Sequence, residues 1–273
     1  MITCIVTHHT NSCDYLLRRC IRSLEADPCE KEILVISDSK EPPQGLGTAK
    51  LFHSPDCSMW EPDHKANFGV ANASPNTLGY FMVNDDLVLL KGSLGNLVQE
   101  ATHHEMILNP ISNCEDINII NPQECGFKTE VTPPTEDPDD ELGHLLDIVD
   151  GRPFIFPTHR LYTYATVIPK AIWDKVGPFD PKFGALGCID EDYSLRASIA
   201  GVRLGILTNA FVLHYQHRSV MQESDRDPGA GLKVFVGKYG IMPPPPISAP
   251  GFGGYLYLGI RAMNELEIKR IHE

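Results

Sequence analysis

Strand and helix patterns alternate along the first ninety residues of the chain, and this alternation limits the folds open to it. Residues 2–7 form an apolar run, and apolar residues then recur at helical spacing over residues 15–24. Buried-strand patterns follow at residues 32–38 and 79–83. Strands and helices in this order predict an α/β domain with a mostly parallel central sheet flanked by helices.

The pattern is weaker over residues 100–165, where an acidic run at 136–141 indicates a solvated loop. A short helix is predicted at residues 170–176, because Gly177-Pro178 would stop it there. We expect another helix at 192–200 and a strand at 204–213. The tail after about residue 222 carries consecutive prolines and a Gly-rich patch before a charged helix near 259–272, so we expect an extension rather than core.

The charge balance bears on the partners of the chain. It carries 23 Lys and Arg against 36 Asp and Glu, a formal net charge of −13 at pH 7. Proteins that bind the phosphate backbone of nucleic acids are usually basic, so no nucleic acid partner is expected. An acidic chain still binds an anionic metabolite when a bound cation neutralises it, and this points towards a metal.

Three sequence features bear on localisation. No apolar run approaches the roughly 18 residues of a membrane helix, so the chain is not expected to span a membrane. Residues 2–7 lack the basic segment and cleavage site of a secretory signal. The eight cysteines contain no CxxC pair and are too sparse for a disulfide scaffold, so they are expected to be reduced. We therefore expect a cytoplasmic protein.

The triplet Asn84-Asp85-Asp86 follows an apolar strand pattern directly. Ligands of open α/β sheets bind outside the carboxyl ends of the strands. Adjacent carboxylates at such a place repel each other unless a hard cation is present, and oxygen ligands suit Mg²⁺ or Mn²⁺. The triplet predicts a divalent cation site, with an exposed polar turn as the alternative.

A second acidic cluster, Asp190-Glu191-Asp192, lies about a hundred residues further on, before a predicted helix. Acidic residues are common in the first turn of a helix, because they complement its dipole. A carboxylate here also suits a general base, which takes a proton from an attacking hydroxyl. The spacing of Asp192 and Arg196 predicts an i,i+4 ion pair.

Further motifs occur in a fixed order around these two acidic clusters. They are the strand end at 35–38, the Asn-containing segment at 67–72, the strand end at 80–86, the segment 176–183, the helix start at 189–196 and the strand end at 212–214. In this order, from residue 2 to about 218, the chain resembles the inverting GT-A glycosyltransferases of family 2. The resemblance implies the GT-A fold with a C-terminal extension.

The resemblance also implies roles for individual residues. Asp190 corresponds to the catalytic base, while Asp86 and His214 correspond to metal-binding positions. The substrate- and nucleotide-binding positions correspond to Thr7, Asp38, Asn67, Asn84, Asp85 and Glu191. The implied cofactor is Mn²⁺ or Mg²⁺.

The chain departs from the family pattern at one point near the base. The family usually has Glu before the base, whereas this chain has Ile189. A shifted register, in which Glu191-Asp192 is the acidic pair, therefore stays open. We favour Asp190, because the Asp192–Arg196 pair would leave Asp190 facing the cleft.

Two other groups of residues have simpler expected roles. His8-His9 follows the first strand and is expected to be solvated in the loop. Trp173 is expected in the core, whereas Tyr162 and Tyr164 are candidates for stacking on a sugar as well as for the core.

The sequence, with this resemblance, predicts an inverting, metal-dependent glycosyltransferase of glycan or polysaccharide synthesis. Its partners would be a nucleoside-diphosphate sugar, with a UDP-sugar favoured, and a glycan or other hydroxyl acceptor. Residues 1–221 would form the catalytic domain, with a nucleotide-binding half at 1–95 and an acceptor half at 96–221, and residues 222–273 the extension.

Two alternatives to this activity are considered. A sugar-nucleotide pyrophosphorylase is disfavoured, because residues 2–14 lack the glycines and basic residues of a triphosphate loop. A non-catalytic sugar-nucleotide-binding module of the same fold is the other alternative, motivated by Ile189 and the unusual tail.

Overall fold

The protein folds around one mixed β-sheet. The computed structural model describes residues 1–9, 14–54, 62–112, 154–183, 187–215 and 230–243. The strands in these ranges are β1 (Ile2–His8), β2 (Lys31–Ser37), β3 (Lys50–His53), β4 (Gly79–Asn84), β5 (Leu87–Leu89), β6 (Met106–Ser112), β7 (Ile155–Thr158), β8 (Ala165–Pro169) and β9 (Arg203–His214). The helices are α1 (Asp14–Ala26), α2 (Pro62–Ala71), α3 (Ser93–His104), α4 (Lys170–Val176), α5 (Ile189–Ile199) and α6 (Ala230–Tyr239).

The strand order places several strand ends at one edge of the sheet. The order is β3-β2-β1-β4-β8-β6-β9-β5, with β7 also paired to β9. Strands β3, β2, β1 and β4 are parallel, while β8 is antiparallel to both of its neighbours, β4 and β6. Because β9 is parallel to β6, the carboxyl ends of β1, β2, β4 and β9 share an edge with the start of β8.

Helices cover both faces of the sheet. Successive strand residues point to opposite faces, so Val6 packs with α1 and α3 while Ile5 packs with α2, α4, α5 and α6. Trp173 lies in the second layer, stacked on Tyr193 with ring centroids 5.9 Å apart, as predicted for a core residue. The predicted α/β architecture is confirmed.

Most of the predicted elements are present, with two informative differences. Strand β6 lies in the centre of the sheet, although its sequence falls in the stretch predicted to be loosely structured. Asn109 and Pro110 interrupt its apolar pattern, and the pairing of β6 with β9 shifts register between Pro110 and Ile111. A proline is tolerated in a central strand at such an irregularity, so the interrupted pattern hid the strand.

Helix α5 also differs from its prediction, since it begins three residues earlier than residue 192. Cys188, with a left-handed φ of 61°, precedes it, and the acidic cluster therefore occupies the first turn of the helix instead of preceding it. The predicted acidic loop at 136–141 and the predicted helix near 259–272 lie outside the described residues.

Helix α6 comes from the predicted extension and packs on the domain. Phe235 is fully buried and lies against Phe183, with ring centroids 6.3 Å apart, and against Tyr239 at 4.8 Å. This part of the tail therefore contributes to the core. None of the helices in the described ranges has the length and apolar content that a membrane crossing requires.

Candidate active site

The predicted site residues gather at the sheet edge where the strands end. A small hollow there is lined by Thr7 at the end of β1, Asn84 at the end of β4, Thr163 before β8 and Ile189 at the start of α5. Apolar side chains complete its wall: Ala66, Met82, Val83 and Phe179. Asn84 begins the first acidic triplet and Ile189 precedes the second cluster, so the fold brings the segments that carry the two acidic clusters to the same hollow.

Asp86 and His214 lie together beside this edge. His214 Nε2 is 3.2 Å from Asp86 Oδ1, and their side chains are only 12% and 7% exposed. Asp86 Oδ1 is buried and accepts no hydrogen bond within the described residues. The imidazole of His214 stacks on the ring of Tyr164, with centroids 4.6 Å apart and planes 13° from parallel, which fixes its orientation.

The arrangement of these two side chains fits a divalent cation. Two ligands at right angles on Mg²⁺ or Mn²⁺, with bonds of about 2.1 Å, lie about 3.0 Å apart, close to the observed separation. The described residues contain no group of three or more His, Cys, Asp or Glu placed to hold a metal. A cation held here would complete its coordination with water and phosphate oxygens, as Mg²⁺ commonly does.

Asp85 points away from Asp86 and pairs with His8. Its Oδ2 is 2.7 Å from His8 Nδ1, which must carry the proton because an ionised carboxylate only accepts hydrogen bonds. His8 is 1% exposed and His9 is 7% exposed, so the expectation that this pair is solvated was wrong for both. His8 is buried because it is the last residue of β1, which pairs with β4. Its ring therefore lies beside the acidic triplet that follows β4.

Lys65 holds the neighbouring strand ends together from α2. Its ammonium donates to His8 O at 2.8 Å and lies 3.2 Å from Asp38 Oδ2. The Lys65 side chain is 2% exposed and that of Asp38 is 7% exposed. Asp38 is therefore already neutralised by a buried cation in this structure.

Asp190 differs from the other acids of the site in its partners. Its Oδ1 accepts from the Thr163 backbone N–H at 3.1 Å and from the Thr163 hydroxyl at 2.6 Å. Among the described residues Asp190 forms no ion pair within 4 Å, and its Oδ2 accepts no hydrogen bond. Burial raises the pKa of Asp190, while the charge of Arg160 and the bonds from Thr163 act in the opposite direction.

Glu191 is paired with a cation, in contrast to Asp190. Arg160 Nη2 lies 2.8 Å from Glu191 Oε1, and its guanidinium lies 5.2 Å from the ring centroid of Tyr162. Burial, and then the charge of Asp190, raise the pKa of Glu191. Arg160 thus offsets the negative charge that these adjacent carboxylates place at the start of α5.

Asp192 is turned away from the hollow and fully engaged. Its side chain is 1% exposed and bonds to Arg196 Nε at 2.9 Å, Lys238 Nζ at 2.6 Å and the Tyr239 hydroxyl at 2.6 Å. The predicted i,i+4 pair with Arg196 is confirmed. These partners make Asp192 a structural link between α5 and α6.

Replacing Asp192 by Asn is expected to lower the free energy of unfolding by about 3 kcal/mol, since it leaves Arg196 and Lys238 without their buried partner. Chemical denaturation followed by circular dichroism measures this loss. The pair Lys170–Asp174 is also i,i+4 but exposed, so Asp174→Asn is the matched control and should leave the free energy of unfolding close to that of the native chain. Equal losses in the two variants would contradict the structural role of Asp192.

Asn67 braces the wall of the hollow. Its amide donates to Phe179 O at 2.9 Å and accepts from Phe179 N at 3.0 Å, joining α2 to the loop after α4. This reciprocal pairing uses one donor and the acceptor of the side chain. The structure thus places Asn67 beside the predicted binding residues with its amide bonded to the main chain.

The sequence missed four residues that complete the site: Thr163, Arg160, Lys65 and Tyr164 as the partner of His214. The contacts of Thr163 and Lys65 span 27 and 57 residues of sequence respectively. No local spacing relates such partners, so no motif could have revealed them before folding brought them together.

Comparison with known proteins identifies the fold. No protein-family model and no curated protein matches the chain. GalNAc-T7, crystallised with UDP, GalNAc and Mn²⁺, is similar with a TM-score of 0.57 and 14% identity over 78% of this chain and 43% of that one. TarS of S. aureus is similar with a TM-score of 0.50 and 14% identity over 77% of this chain and 36% of that one. The fold is that of the GT-A glycosyltransferases, and the chain spans less than half the length of either neighbour.

Proposed function

We propose that the protein is a glycosyltransferase that moves a sugar from a nucleoside diphosphate to an acceptor hydroxyl. The observation that carries this proposal is the pairing of the acids at the sheet edge. Asp38, Asp85, Asp86 and Glu191 each lie against a cation or an imidazole, whereas among the described residues Asp190 receives only the neutral donors of Thr163. One edge of the sheet, next to the hollow, therefore offers a candidate cation site and a carboxylate able to accept a proton.

The cation site belongs to Asp86 and His214. A divalent cation bound there would act as a Lewis acid and offset the charge that develops on the departing diphosphate. The Mn²⁺ bound with UDP in the GalNAc-T7 structure supports a cation of this class. Lys65 neutralises Asp38 and His8 lies against Asp85, so a diphosphate arriving at this edge meets carboxylates that already have partners.

Asp190 acts as the general base in this proposal. The acceptor oxygen attacks the anomeric carbon and its proton passes to Asp190, while the bond from that carbon to the phosphate oxygen breaks. The electron pair of that bond leaves with the nucleoside diphosphate. A single displacement of this kind inverts the configuration at the anomeric carbon, in line with the resemblance to family 2.

The remaining predicted residues are assigned to the donor and to the walls of its site. We place the nucleoside on Thr7, Asp38 and Asn84, at three adjacent strand ends. We also assign Asn67, Asp85 and Glu191 to the donor site. They would act there by orienting their partners, which are Phe179, His8 and Arg160 respectively. Residues 1–95 then serve the nucleotide and residues 96–221 the acceptor, and a cytoplasmic location is part of the proposal.

A donor screen followed by a turnover assay tests the proposal. UDP-, GDP- and dTDP-sugars are compared by thermal shift with Mn²⁺, because a ligand that binds only the folded state raises its stability. Release of the nucleoside diphosphate is then measured with an acceptor panel, in Mn²⁺ and in chelator. We expect Mn²⁺-dependent release with the donor that stabilises. Stabilisation without release across the panel would favour the non-catalytic binding module. If no donor stabilised the protein and no nucleoside diphosphate were released, both functions would be contradicted.

The pH profile is expected to report the protonation of Asp190. Activity requires the carboxylate, so kcat/KM falls as the pH is lowered through the raised pKa of Asp190. The Thr163 hydroxyl stabilises the charged form, and Thr163→Val should therefore raise that pKa and move the acid limb to higher pH. The profile of kcat/KM against pH measures the shift. An acid limb that stays in place or moves to lower pH would contradict the role of Thr163.

A further inference from the structure

One turn of the chain contacts the proposed base, the proposed histidine ligand and the end of β4. This turn, residues 162–166, connects the segment after β7 to β8. Thr163 bonds to Asp190, and Tyr164 stacks on His214. The carbonyl of Tyr164 also accepts from Asn84 N at 2.9 Å, which ties the turn to the end of β4.

One buried side chain from a different strand makes several contacts with the turn. Asn109, on β6, is 1% exposed. Its Nδ2 lies 2.7 Å from Tyr162 O, 2.6 Å from Ala165 O and 2.8 Å from the Thr166 hydroxyl oxygen. Its Oδ1 accepts from Tyr162 N at 3.4 Å. The amide of Asn109 therefore reaches both ends of the turn.

We propose that Asn109 is a positioning residue. By holding the turn at 162–166, it positions both the proposed base, Asp190, and the proposed metal ligand, His214. This inference rests on the proposed function. Asn109 lines no part of the hollow and acts only through Thr163 and Tyr164. A bulky apolar residue would fill the same core position, but it would leave the carbonyls of Tyr162 and Ala165 without this donor.

Loosening the turn should affect the two sides of the site in different measurable ways. On one side, a displaced Thr163 stabilises the Asp190 carboxylate less. The charged groups that also face Asp190 in the described residues are Glu191 and Arg160, and Arg160 lies over the ring of Tyr162 at the start of the turn. On the other side, a displaced Tyr164 no longer fixes the ring of His214, and loss of such an orienting contact weakens metal binding.

The test combines two measurements that do not depend on turnover. The dissociation constant of Mn²⁺ is measured by electron paramagnetic resonance on the full chain without sugar nucleotide. The pKa of Asp190 is measured by carbon-13 NMR of its carboxyl group. The variants are Asn109→Ala, Thr163→Val and Tyr164→Leu, and Thr166→Val is the milder change if Asn109→Ala does not fold.

A control variant is offered by a second asparagine that bridges two elements. Asn96, on α3, donates to Asn209 O in β9 at 2.8 Å and does not contact the turn. Asn96→Ala removes a comparable bond between a side chain and the main chain. It should change stability while leaving the Mn²⁺ dissociation constant and the pKa of Asp190 as in the native chain.

We expect Asn109→Ala to raise both the pKa of Asp190 and the Mn²⁺ dissociation constant, the latter by about tenfold or more. Thr163→Val should raise only the pKa of Asp190 and Tyr164→Leu only the Mn²⁺ dissociation constant, while Thr166→Val raises both by less. A folded Asn109→Ala or Thr166→Val protein with both values unchanged would overturn the role of Asn109. A native chain that binds Mn²⁺ and shows these shifts but transfers no sugar would instead contradict the proposed function alone.

Discussion

Replacing Asp190 by Asn is expected to lower kcat by about 10²–10⁴-fold, the usual contribution of a positioned general base. The amide keeps the shape of the side chain and can still accept from Thr163, but it cannot take the acceptor proton. The KM for the donor should change little, because this interaction forms only in the transition state. Initial rates of nucleoside diphosphate release, measured against donor and acceptor concentrations, separate the two constants.

Asp174→Asn provides the matched control for this substitution. It makes the same change of charge and size on the exposed face of α4, where Asp174 pairs with Lys170 at 2.7 Å. Its kcat and KM should equal those of the native chain. If the Asp190→Asn and Asp174→Asn variants both had the native kcat, Asp190 would not be the base. The proposed displacement would then lack a proton acceptor.

The choice between Asp190 and Asp192 shows what sequence can and cannot decide. Helical spacing alone predicted that Asp192 pairs with Arg196, and this was correct. The spacing gave no sign that Lys238 and Tyr239 also bind Asp192, because α6 lies more than forty residues further along the chain. Only the folded arrangement shows that Asp192 is fully engaged while Asp190 is not.

Asp86 and His214, the proposed cation ligands, could be named from the sequence because their signals are local. Asp86 lies two residues after β4 and His214 ends β9, and the sheet order brings both strand ends to one edge. The supporting contacts were not predictable, since they join distant strands. His8 was expected in solvent, yet its ring lies against Asp85, 77 residues away. A polar side chain such as His8 is expected in solvent because burying it costs free energy. Here the hydrogen bond to the charged Asp85 offsets that cost.

Charge pairing also bears on how so acidic a chain would bind the anionic donor proposed for it. The net charge of −13 would repel a diphosphate if it were evenly spread. At the sheet edge, however, Lys65 neutralises Asp38 and His8 is hydrogen-bonded to Asp85, although the sequence alone presents both acids as free. Asp86, beside His214, has no Lys or Arg partner among the described residues. A divalent cation would therefore have its largest electrostatic effect there.

Replacing Asp86 by Asn should therefore weaken Mn²⁺ binding and lower kcat/KM by about three orders of magnitude. A Lewis-acid metal contributes several kcal/mol to the stabilisation of the leaving charge, and each 1.36 kcal/mol corresponds to a factor of ten. His214→Leu should weaken Mn²⁺ binding in the same direction, because it removes the other ligand. Titration of Mn²⁺ by calorimetry measures the binding, and nucleoside diphosphate release at saturating Mn²⁺ measures the rate.

The chain contains a matched pair on which the same substitution should have no such effect. Glu100 Oε2 lies 3.3 Å from His104 Nε2 on α3, so this is also a carboxylate beside an imidazole, but it is remote from the strand ends. Glu100→Gln should leave Mn²⁺ binding and turnover at native values. If Asp86→Asn retained native Mn²⁺ affinity, or if Glu100→Gln lost as much, the cation would not be held by Asp86 and His214. The charge of the leaving diphosphate would then have to be offset by the protein's own cations, of which Lys65 is already committed to Asp38.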